Sequence, residues 1–226
     1  MKKIVLLDID DTILDFKACE RNAIQKTMEK YGVKPNNELV EKYSKINKSL
    51  WELFEKKEIT KAELLVRRFE MFFHPLGVFE KANEINKNYL NYLSGEVFFV
   101  KDAVEFCKKL KEKCKVYVVT NGVKSTQVRR LDKSMLLEYF DDVFISEDVG
   151  YQKPDVRFFV YVYDRIGMPK KDEMIILGDS KTSDIQGGIN FGITTCWFNK
   201  YGFDKYPDVT ADYEIDELMD FFKVIN

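Results

Sequence analysis

The chain has 226 residues, of which 45% are hydrophobic and 33% are charged, and this composition is typical of a folded globular protein. Its formal net charge of −2 and its pI near 5.7 argue against a surface that binds a nucleic acid polymer. A single small anion stays a candidate partner, because one pocket needs only a few basic side chains.

Cysteine usage and the length of the apolar runs bear on location. The four cysteines form no CxxC pair and are too few for a disulfide framework in a chain of this length. No apolar run approaches the roughly 18 residues of a membrane span, and the N-terminal apolar run is too short for a signal peptide. We therefore expect a cytoplasmic monomer or homodimer that contacts no membrane, with buried free thiols at Cys19, Cys107, Cys114 and Cys196.

The first predicted element is a buried strand over Ile4–Leu7, and acidic residues follow it directly. Side chains two apart in an extended segment point the same way, so Asp8 and Asp10 could present two carboxylates to one pocket while Asp11 turns elsewhere. Two carboxylates this close repel each other, and an oxygen-coordinated cation such as Mg²⁺ would relieve the repulsion. The alternative is an acidic turn that caps the next helix.

A long segment of helical pattern follows, with no strand inside it. Helices are predicted over residues 16–31, 39–54, 60–74 and 79–93, and a capping box of Thr60 with Glu63 opens the third. We interpret residues 15–95 as a separate helical domain that is inserted after the first strand. Most of its aromatic side chains are expected to be core, namely Trp51, Phe54, Phe69, Phe72 and Phe73.

From about Glu96 onward, strands and helices alternate. Strands are predicted over residues 116–119, 143–146, 174–177 and 193–198. Helices are predicted over residues 102–113, between the first two of these strands, from Pro154 to about 166, and over 182–191 and 216–224. This alternation predicts an α/β fold, a doubly wound parallel sheet with right-handed crossovers, formed by residues 1–14 and 96–226.

Polar residues gather where three of these strands end. Asp8 and Asp10 follow the first strand, Thr120 and Asn121 follow the second, and Asp179 follows the strand at 174–177. The carboxyl ends of parallel strands meet at one edge of a sheet, and ligands bind in the crevice there. The sequence therefore predicts one site at this edge.

Four ordered segments resemble the motifs of the haloacid dehalogenase superfamily of hydrolases. They are Asp8-Ile9-Asp10-Asp11-Thr12, Thr120-Asn121-Gly122, Lys153-Pro154 and Gly178-Asp179-Ser180-Lys181-Thr182-Ser183-Asp184. Each segment is a weak signal alone, but all four occur in order and at strand ends. The resemblance runs from the first strand to the strand ending near Phe198. It implies a Rossmann-like core, in which residues 15–95 form the inserted helical cap.

The resemblance also implies a phosphomonoesterase that works through an aspartyl-phosphate. Asp8 would be the nucleophile, and Asp10 would first protonate the leaving oxygen and then activate water as a base. Mg²⁺ would be held by the Asp8 carboxylate, the Asp10 carbonyl oxygen and Asp179, with Asp184 ligating indirectly or orienting these groups. The phosphoryl oxygens would be bound by the Thr120 hydroxyl, the Asn121 backbone N–H and the Lys153 ammonium.

Other interpretations of the same residues stay open. Thr120-Asn121-Gly122 is also an ordinary turn, Lys153 would normally be solvated, and Asp179 could cap a helix. Gly187-Gly188 is better explained by close packing of a helix on the sheet than by ligand binding.

Three other activities share parts of this pattern. Dehalogenases of the superfamily lack an acid two residues after the nucleophile, so Asp10 favours phosphoester chemistry. Phosphomutases share all four motifs and stay open. Receiver-type phospho-acceptor domains, a different class, also place Asp, Thr and Lys at strand ends around Mg²⁺, but they are much shorter and carry no helical insert.

Finer features resemble one branch, the YjjG-like noncanonical pyrimidine 5′-nucleotidases. They lie in Asp10-Asp11-Thr12 with the following Ile13-Leu14-Asp15-Phe16, and in Thr195-Cys196-Trp197-Phe198-Asn199. Most phosphatases of the superfamily carry glycine where Asp11 stands. The resemblance implies that the substrate is a nucleoside monophosphate whose base is selected by the cap. Phosphoglycolate or a sugar phosphate is the alternative substrate.

Overall fold

A computed structural model of the chain describes residues 3–202 and 205–225. Within them the chain divides into two compact units, one made of the residues up to Asp15 and from Phe99 onward, the other of Phe16–Phe98. The sequence predicts a helical insert over residues 15–95, and the second unit spans Phe16–Phe98.

The strands of the described residues all belong to the first unit. They are β1 (Ile4–Leu7), β2 (Lys115–Thr120), β3 (Asp142–Ile145), β4 (Met174–Gly178), β5 (Thr194–Phe198) and β6 (Tyr213–Ile215). The α-helices are α1 (Phe16–Lys30), α2 (Asn37–Glu55), α3 (Lys61–Phe73), α4 (Ala82–Leu93), α5 (Ala103–Lys113), α6 (Lys124–Ser134), α7 (Ser146–Val149), α8 (Val156–Arg165), α9 (Gln186–Phe191) and α10 (Phe221–Ile225). A π-helical turn, Lys181–Ile185, leads into α9.

The six strands form one sheet in which each neighbouring pair is parallel, in the order β3-β2-β1-β4-β5-β6. This confirms the predicted doubly wound α/β fold. All residues of β1 and β4 are buried, as expected for central parallel strands with both faces covered. In register, Leu7 lies opposite Val118 of β2 and Leu177 of β4. The chain segments that leave β1, β2 and β4 therefore emerge side by side at one edge.

The second unit consists of α1 to α4 packed around an aromatic core. Local signals position its helices: the Asn36 side chain accepts from the Leu39 N–H at 2.8 Å, and the predicted capping box of Thr60 and Glu63 is present. Four of the five aromatic side chains expected in the core are buried, and Trp51 is half-buried. These rings, together with the aliphatic side chains around them, give the helical unit a core of its own.

A network of hydrogen-bonded polar side chains crosses the core of the helical unit. Asn47 donates to the Glu20 carboxylate at 2.7 Å. The Arg68 guanidinium donates to Asn47 Oδ1 at 3.0 Å and to Asn86 Oδ1 at 2.7 Å, and it lies over the ring of Tyr89. Each of the helices α1, α2, α3 and α4 supplies one member of this network. Because buried charges need partners, the network fixes the register of the four helices.

The sequence analysis missed one strand near the end of the described residues, β6. The helix predicted over residues 216–224 is present as a 3₁₀ turn, Leu218–Asp220, that leads into α10. A three-residue edge strand is too short to show an alternating pattern. It is held beside β5, because the side chain of Asp212, the residue before β6, accepts from the Thr195 N–H of β5 at 2.8 Å. The strand predicted over 143–146 ends at Ile145, because Ser146 begins α7.

Two expectations about packing are confirmed. All four cysteines are free and buried, and burial raises the pKa of Cys107 and of Cys196 to about 12. A Cβ added at Gly188 would lie 2.6 Å from Thr195 Cγ2 and 2.7 Å from Ile176 Cγ2, so this glycine does allow close packing of α9 on the sheet.

Among the described residues, no helix combines the length and the apolar character needed to cross a bilayer.

Replacing Gly188 by alanine should therefore destabilise the fold. The added methyl group overpacks the contact with β4 and β5 and costs about 1–3 kcal/mol, which is offset in part by the roughly 1 kcal/mol that alanine gains over glycine in a helix. The melting temperature should fall by a few degrees, at about 2–4 °C for each kcal/mol in a chain of this size. Ile189→Ala, a change of an exposed side chain on the same helix, is the control. Melting of Gly188→Ala at or above the wild-type temperature would contradict this packing.

Candidate active site

The polar residues expected to meet do follow neighbouring strands of the sheet. Asp8 comes directly after β1, Thr120 is the last residue of β2, and Asp179 comes directly after β4. β1 lies between β2 and β4, at the point where the strand order reverses, which is where open α/β sheets bind their ligands. The register of these strands therefore delivers the three residues to one place.

The Lys153 ammonium is the centre of this site. Its Nζ donates to Asp8 Oδ1 at 2.8 Å, to Asp184 Oδ1 at 2.5 Å and to the Val119 carbonyl oxygen at 2.8 Å. Lys153 is 1% exposed, so the interpretation of a solvated lysine was wrong. A buried ammonium with three oxygen acceptors uses all of its N–H donors.

The Asn121 side chain fixes the backbone from which Lys153 projects. Asn121 Nδ2 donates to the Lys153 carbonyl oxygen, and the Lys153 N–H donates to Asn121 Oδ1, both at 2.9 Å. This two-way bond joins the end of β2 to the segment before α8. The Asn121 side chain is therefore engaged in positioning Lys153, and its backbone N–H stays the group predicted to contact a ligand.

Asp184 reaches the site because Gly178 has no side chain. A Cβ at Gly178 would lie 2.3 Å from Asp184 Oδ2, a distance at which the two groups could not coexist. The same oxygen accepts from the Ser180 N–H at 3.1 Å. The glycine at the end of β4 thus allows the Asp184 carboxylate, which is 1% exposed, to lie against the strand.

Thr12 joins Asp8 to the segment that follows β4. Its hydroxyl donates to Asp8 Oδ2 at 3.2 Å and accepts from the Asp179 N–H at 3.1 Å. With Lys153 on Oδ1 and Thr12 on Oδ2, both oxygens of the Asp8 carboxylate are held. Its orientation is therefore fixed by two different elements of the fold.

Burial, and after it the neighbouring charges, shift the pKa values of the cluster. Burial raises the pKa of Asp8 to about 7, against the lowering effect of Lys153 and with further raising by Asp184 and Asp10. Burial also raises the pKa of Asp179 well above its usual range, and the charges of Asp11 and Asp8 add to this. Burial alone would lower the pKa of Lys153, but Asp184 and Asp8 outweigh it and raise the pKa.

Asp8, Asp179 and Asp184 form a set that fits a divalent cation. One carboxylate oxygen from each lies within 4.8 Å of the others, and hard carboxylate oxygens are the ligands that Mg²⁺ prefers. Three carboxylates against the one ammonium of Lys153 leave the cluster with an excess of negative charge. A bound cation would supply the missing positive charge. The Asp10 carboxylate lies outside this set, and the part predicted for its carbonyl oxygen stays a prediction.

The Thr120 hydroxyl is buried and lies within a short hydrogen-bonded turn. It accepts from the Gly122 N–H at 3.1 Å and from Gln127 Nε2 at 2.8 Å. Two donors on one hydroxyl oxygen leave its own hydrogen to be donated. Thr120 is thereby prepared to donate to an anion.

Three charged or polar side chains near the site were missed by the sequence analysis. Lys200 pairs with Asp11 at 3.0 Å, while Gln127 and Arg130 both contact the Asp10 carboxylate. Gln127 and Arg130 are three residues apart on α6, directly after the turn at 120–122, and that spacing places them on one helix face. This spacing, directly after the Thr120-Asn121-Gly122 turn, is the sequence signal that could have identified them.

Asp11 adopts a left-handed backbone conformation, with φ of 60°. Glycine adopts this region without strain, and Asp and Asn tolerate it better than most other side chains. The position therefore accepts an acidic side chain here. Its charge is balanced by the Lys200 ammonium.

Comparison with known proteins supports a family assignment for the whole chain. The family model described as haloacid dehalogenase-like hydrolase matches residues 5–198. The HAD-hydrolase YfnB of Bacillus subtilis is 34% identical, with 99% of this chain and 95% of that protein covered. Its crystal structure, described as bound to magnesium, superposes with a TM-score of 0.95 over 100% of this chain and 99% of that one.

Two further relatives have a stated activity. The pyrimidine 5′-nucleotidase PynA of Streptococcus pneumoniae is 34% identical, over 96% of this chain and 92% of that protein. The pyrimidine 5′-nucleotidase YjjG of Escherichia coli is 29% identical, over 95% of this chain and 93% of that protein. The similarity extends over nearly the full length in both cases, so it includes the core and the helical insert alike.

The carboxylate set can be tested by Mg²⁺ binding without any substrate. In isothermal titration calorimetry the wild-type protein should bind Mg²⁺, and Asp179→Ala should remove the binding because it removes a ligand. Asp184→Asn should weaken the binding by about 10–100-fold, as expected for a residue that orients ligands. Asp148→Asn is the control, since Asp148 is an exposed acid that pairs with Lys124. Wild-type affinity in Asp179→Ala would contradict the site.

Proposed function

The chain belongs to the haloacid dehalogenase-like hydrolases, and from this premise we propose that it is a Mg²⁺-dependent 5′-nucleotidase that works through an aspartyl-phosphate. The observation that carries the proposal is the setting of Asp8. Its carboxylate is buried at the end of β1, contacts the ammonium of Lys153, and lies within a set of three carboxylates. A second acid, Asp10, stands two residues further along.

Asp8 is assigned as the nucleophile. In the first step one of its carboxylate oxygens forms a bond to phosphorus, and the bond from phosphorus to the nucleoside 5′ oxygen breaks. The electron pair leaves with that oxygen. Thr12 and Lys153 hold the Asp8 carboxylate in one orientation, which lowers the entropy that must be lost to reach the transition state.

Asp10 is assigned as the general acid and then the general base. It donates a proton to the leaving 5′ oxygen in the first step and accepts a proton from water in the second. The water oxygen then forms a bond to phosphorus while the bond from Asp8 to phosphorus breaks. Inorganic phosphate leaves, and both aspartates return to their starting states.

Asp8 and Asp179 would hold Mg²⁺, together with the Asp10 carbonyl oxygen, with Asp184 ligating indirectly or orienting these groups. When bound, the cation would neutralise part of the charge on the substrate phosphate, which otherwise repels an anionic nucleophile. The Lys153 ammonium, the Thr120 hydroxyl and the Asn121 backbone N–H are assigned to the phosphoryl oxygens. Because the three N–H donors of Lys153 are all engaged in this structure, Lys153 would exchange one of these acceptors for a phosphoryl oxygen when the substrate binds.

Two comparisons favour nucleotides as substrates over other phosphomonoesters. PynA and YjjG are both pyrimidine 5′-nucleotidases, and each matches almost the whole chain. The substrate is accordingly a small phosphorylated metabolite, with nucleoside monophosphates preferred. The four buried free thiols are in keeping with a reduced compartment, so we place the activity in the cytoplasm.

The nucleophile is tested by Asp8→Asn. The amide has nearly the same shape but cannot attack phosphorus, so kcat on a nucleoside monophosphate should fall by at least about a thousandfold, in line with losses on removing a catalytic group. Circular dichroism should show an intact fold, and Asp148→Asn should keep wild-type activity. If Asp8→Asn retained more than about a tenth of the wild-type kcat, the mechanism would be wrong.

The substrate class is tested by a turnover screen with Mg²⁺ on a panel of phosphorylated metabolites. Nucleoside 5′-monophosphates should give the highest kcat/KM, with pyrimidines ahead of purines. The preference should be broad, because apolar contacts discriminate by only about 1–3 kcal/mol. Turnover of phosphoglycolate or a sugar phosphate at ten times the best nucleotide rate would overturn the nucleotidase assignment and leave the phosphatase chemistry standing.

A further inference from the structure

The Asp10 carboxylate is held by two side chains that lie outside the four sequence motifs. Gln127 Nε2 donates to Asp10 Oδ2 at 2.8 Å, and Arg130 NH1 donates to Asp10 Oδ1 in a buried salt bridge. The side chain of Arg130 is 1% exposed, whereas that of Asp10 is 27% exposed. One end of the pair is thus anchored inside the protein while the acid faces the site.

Gln127 joins Asp10 to the residue assigned to phosphate binding. The same Nε2 that contacts Asp10 also donates to Thr120 Oγ1 at 2.8 Å. Gln127 Oε1 in turn accepts from Arg130 NH1 at 3.2 Å. Gln127, which is buried, therefore ties the acid after β1 to the threonine that ends β2.

The fold makes room for Gln127. A Cβ at Gly122 would lie 2.6 Å from Gln127 Nε2 and 2.7 Å from its Cγ and Cδ. A side chain at position 122 would therefore have to displace Gln127. Because φ at Gly122 is not positive, the absence of a Cβ serves this contact and not a special backbone conformation.

The two donors fix a torsion that is otherwise soft. Rotation of an aspartate carboxylate about its last side-chain bond is broad, with no sharp preferred angle. With one donor on each oxygen, Asp10 is restricted to one orientation. Each oxygen that accepts one of these donors keeps a second lone pair, on which Asp10 can carry the proton that it donates and later accepts.

We propose that Gln127 and Arg130 are positioning residues for Asp10, which hold its carboxylate in the orientation that both proton transfers need. The proposal rests on the role of Asp10 in the proposed function. Neither residue touches the reacting atoms. Their effect is on the alignment of the acid and base, and hence on the rates of the two proton transfers.

The two half-reactions allow this alignment to be measured. With p-nitrophenyl phosphate, the leaving nitrophenolate departs with the electron pair and needs no proton, so phosphorylation of Asp8 does not depend on Asp10. Hydrolysis of the aspartyl-phosphate still requires a base to accept the proton of water. With a nucleoside monophosphate the leaving alkoxide must be protonated, so both steps depend on Asp10.

The test is stopped-flow kinetics of the Mg²⁺-loaded enzyme with Gln127→Leu, Arg130→Met and Gly122→Ala. Each variant should show a burst of about one nitrophenolate per enzyme at a rate near that of the wild type. Steady-state kcat should then be reduced by about 10–100-fold, part of the 10²–10⁴ that general acid–base catalysis supplies. Single-turnover phosphorylation by a nucleoside monophosphate should be slowed by a similar factor.

Two further variants separate positioning from structural damage. Arg130→Lys keeps a cation beside Asp10 and should restore kcat in large part. Arg129→Met removes an exposed arginine from the same helix and should behave as the wild type. If Arg130→Met does not fold, Gln127→Leu and Gly122→Ala carry the test, because neither leaves a buried charge unpaired.

Different results would contradict the positioning role of Gln127 and Arg130 and the proposed function. If Asp8→Asn and Asp10→Asn are inactive on nucleotides while the Gln127 and Arg130 variants keep the wild-type kcat, the positioning role is wrong and the mechanism stands. The positioning role is also overturned if the variants slow both half-reactions with p-nitrophenyl phosphate equally, since that is general damage. Activity in Asp8→Asn would instead overturn the proposed function itself.

Discussion

The buried ammonium of Lys153 is the interaction on which the rest of the site depends. It contacts Asp8 after β1, Asp184 after β4 and the Val119 carbonyl of β2, so it connects the three central strands at their carboxyl ends. A lysine that is 1% exposed is stable only with its charge compensated. In return, the ammonium allows two buried carboxylates to lie close together, and the Asn121 side chain secures its backbone.

Much of the site could be predicted because it follows strand ends. The apolar run of β1 and the alternation of strands with helices define a parallel sheet, and such a sheet gathers its carboxyl ends at one edge. Asp8, Thr120 and Asp179 are therefore brought together by topology alone. Asp184 was expected near the site only through a family resemblance, because its approach depends on the missing side chain of Gly178.

The rest depends on contacts that a linear pattern does not contain. Which of two adjacent arginines on α6 turns inward is decided by packing, and it is Arg130 that meets Asp10 while Arg129 is exposed. The pair of Lys200 with Asp11 joins positions that are far apart in the chain. Strand β6 was missed because a three-residue edge strand is specified by its partner β5, not by its own sequence.

The central claim is that Asp8 carries the phosphoryl group between the two half-reactions. The most direct measurement is to quench the Mg²⁺-loaded enzyme in acid during turnover of p-nitrophenyl phosphate, reduce it with borohydride and map the modified peptide by mass spectrometry. The account predicts homoserine at position 8, the reduction product of an aspartyl-phosphate, with greater accumulation in Asp10→Asn, in which hydrolysis of the intermediate is slowed. Phosphate release from the wild-type protein with no trace of modification at residue 8 in either protein would contradict it.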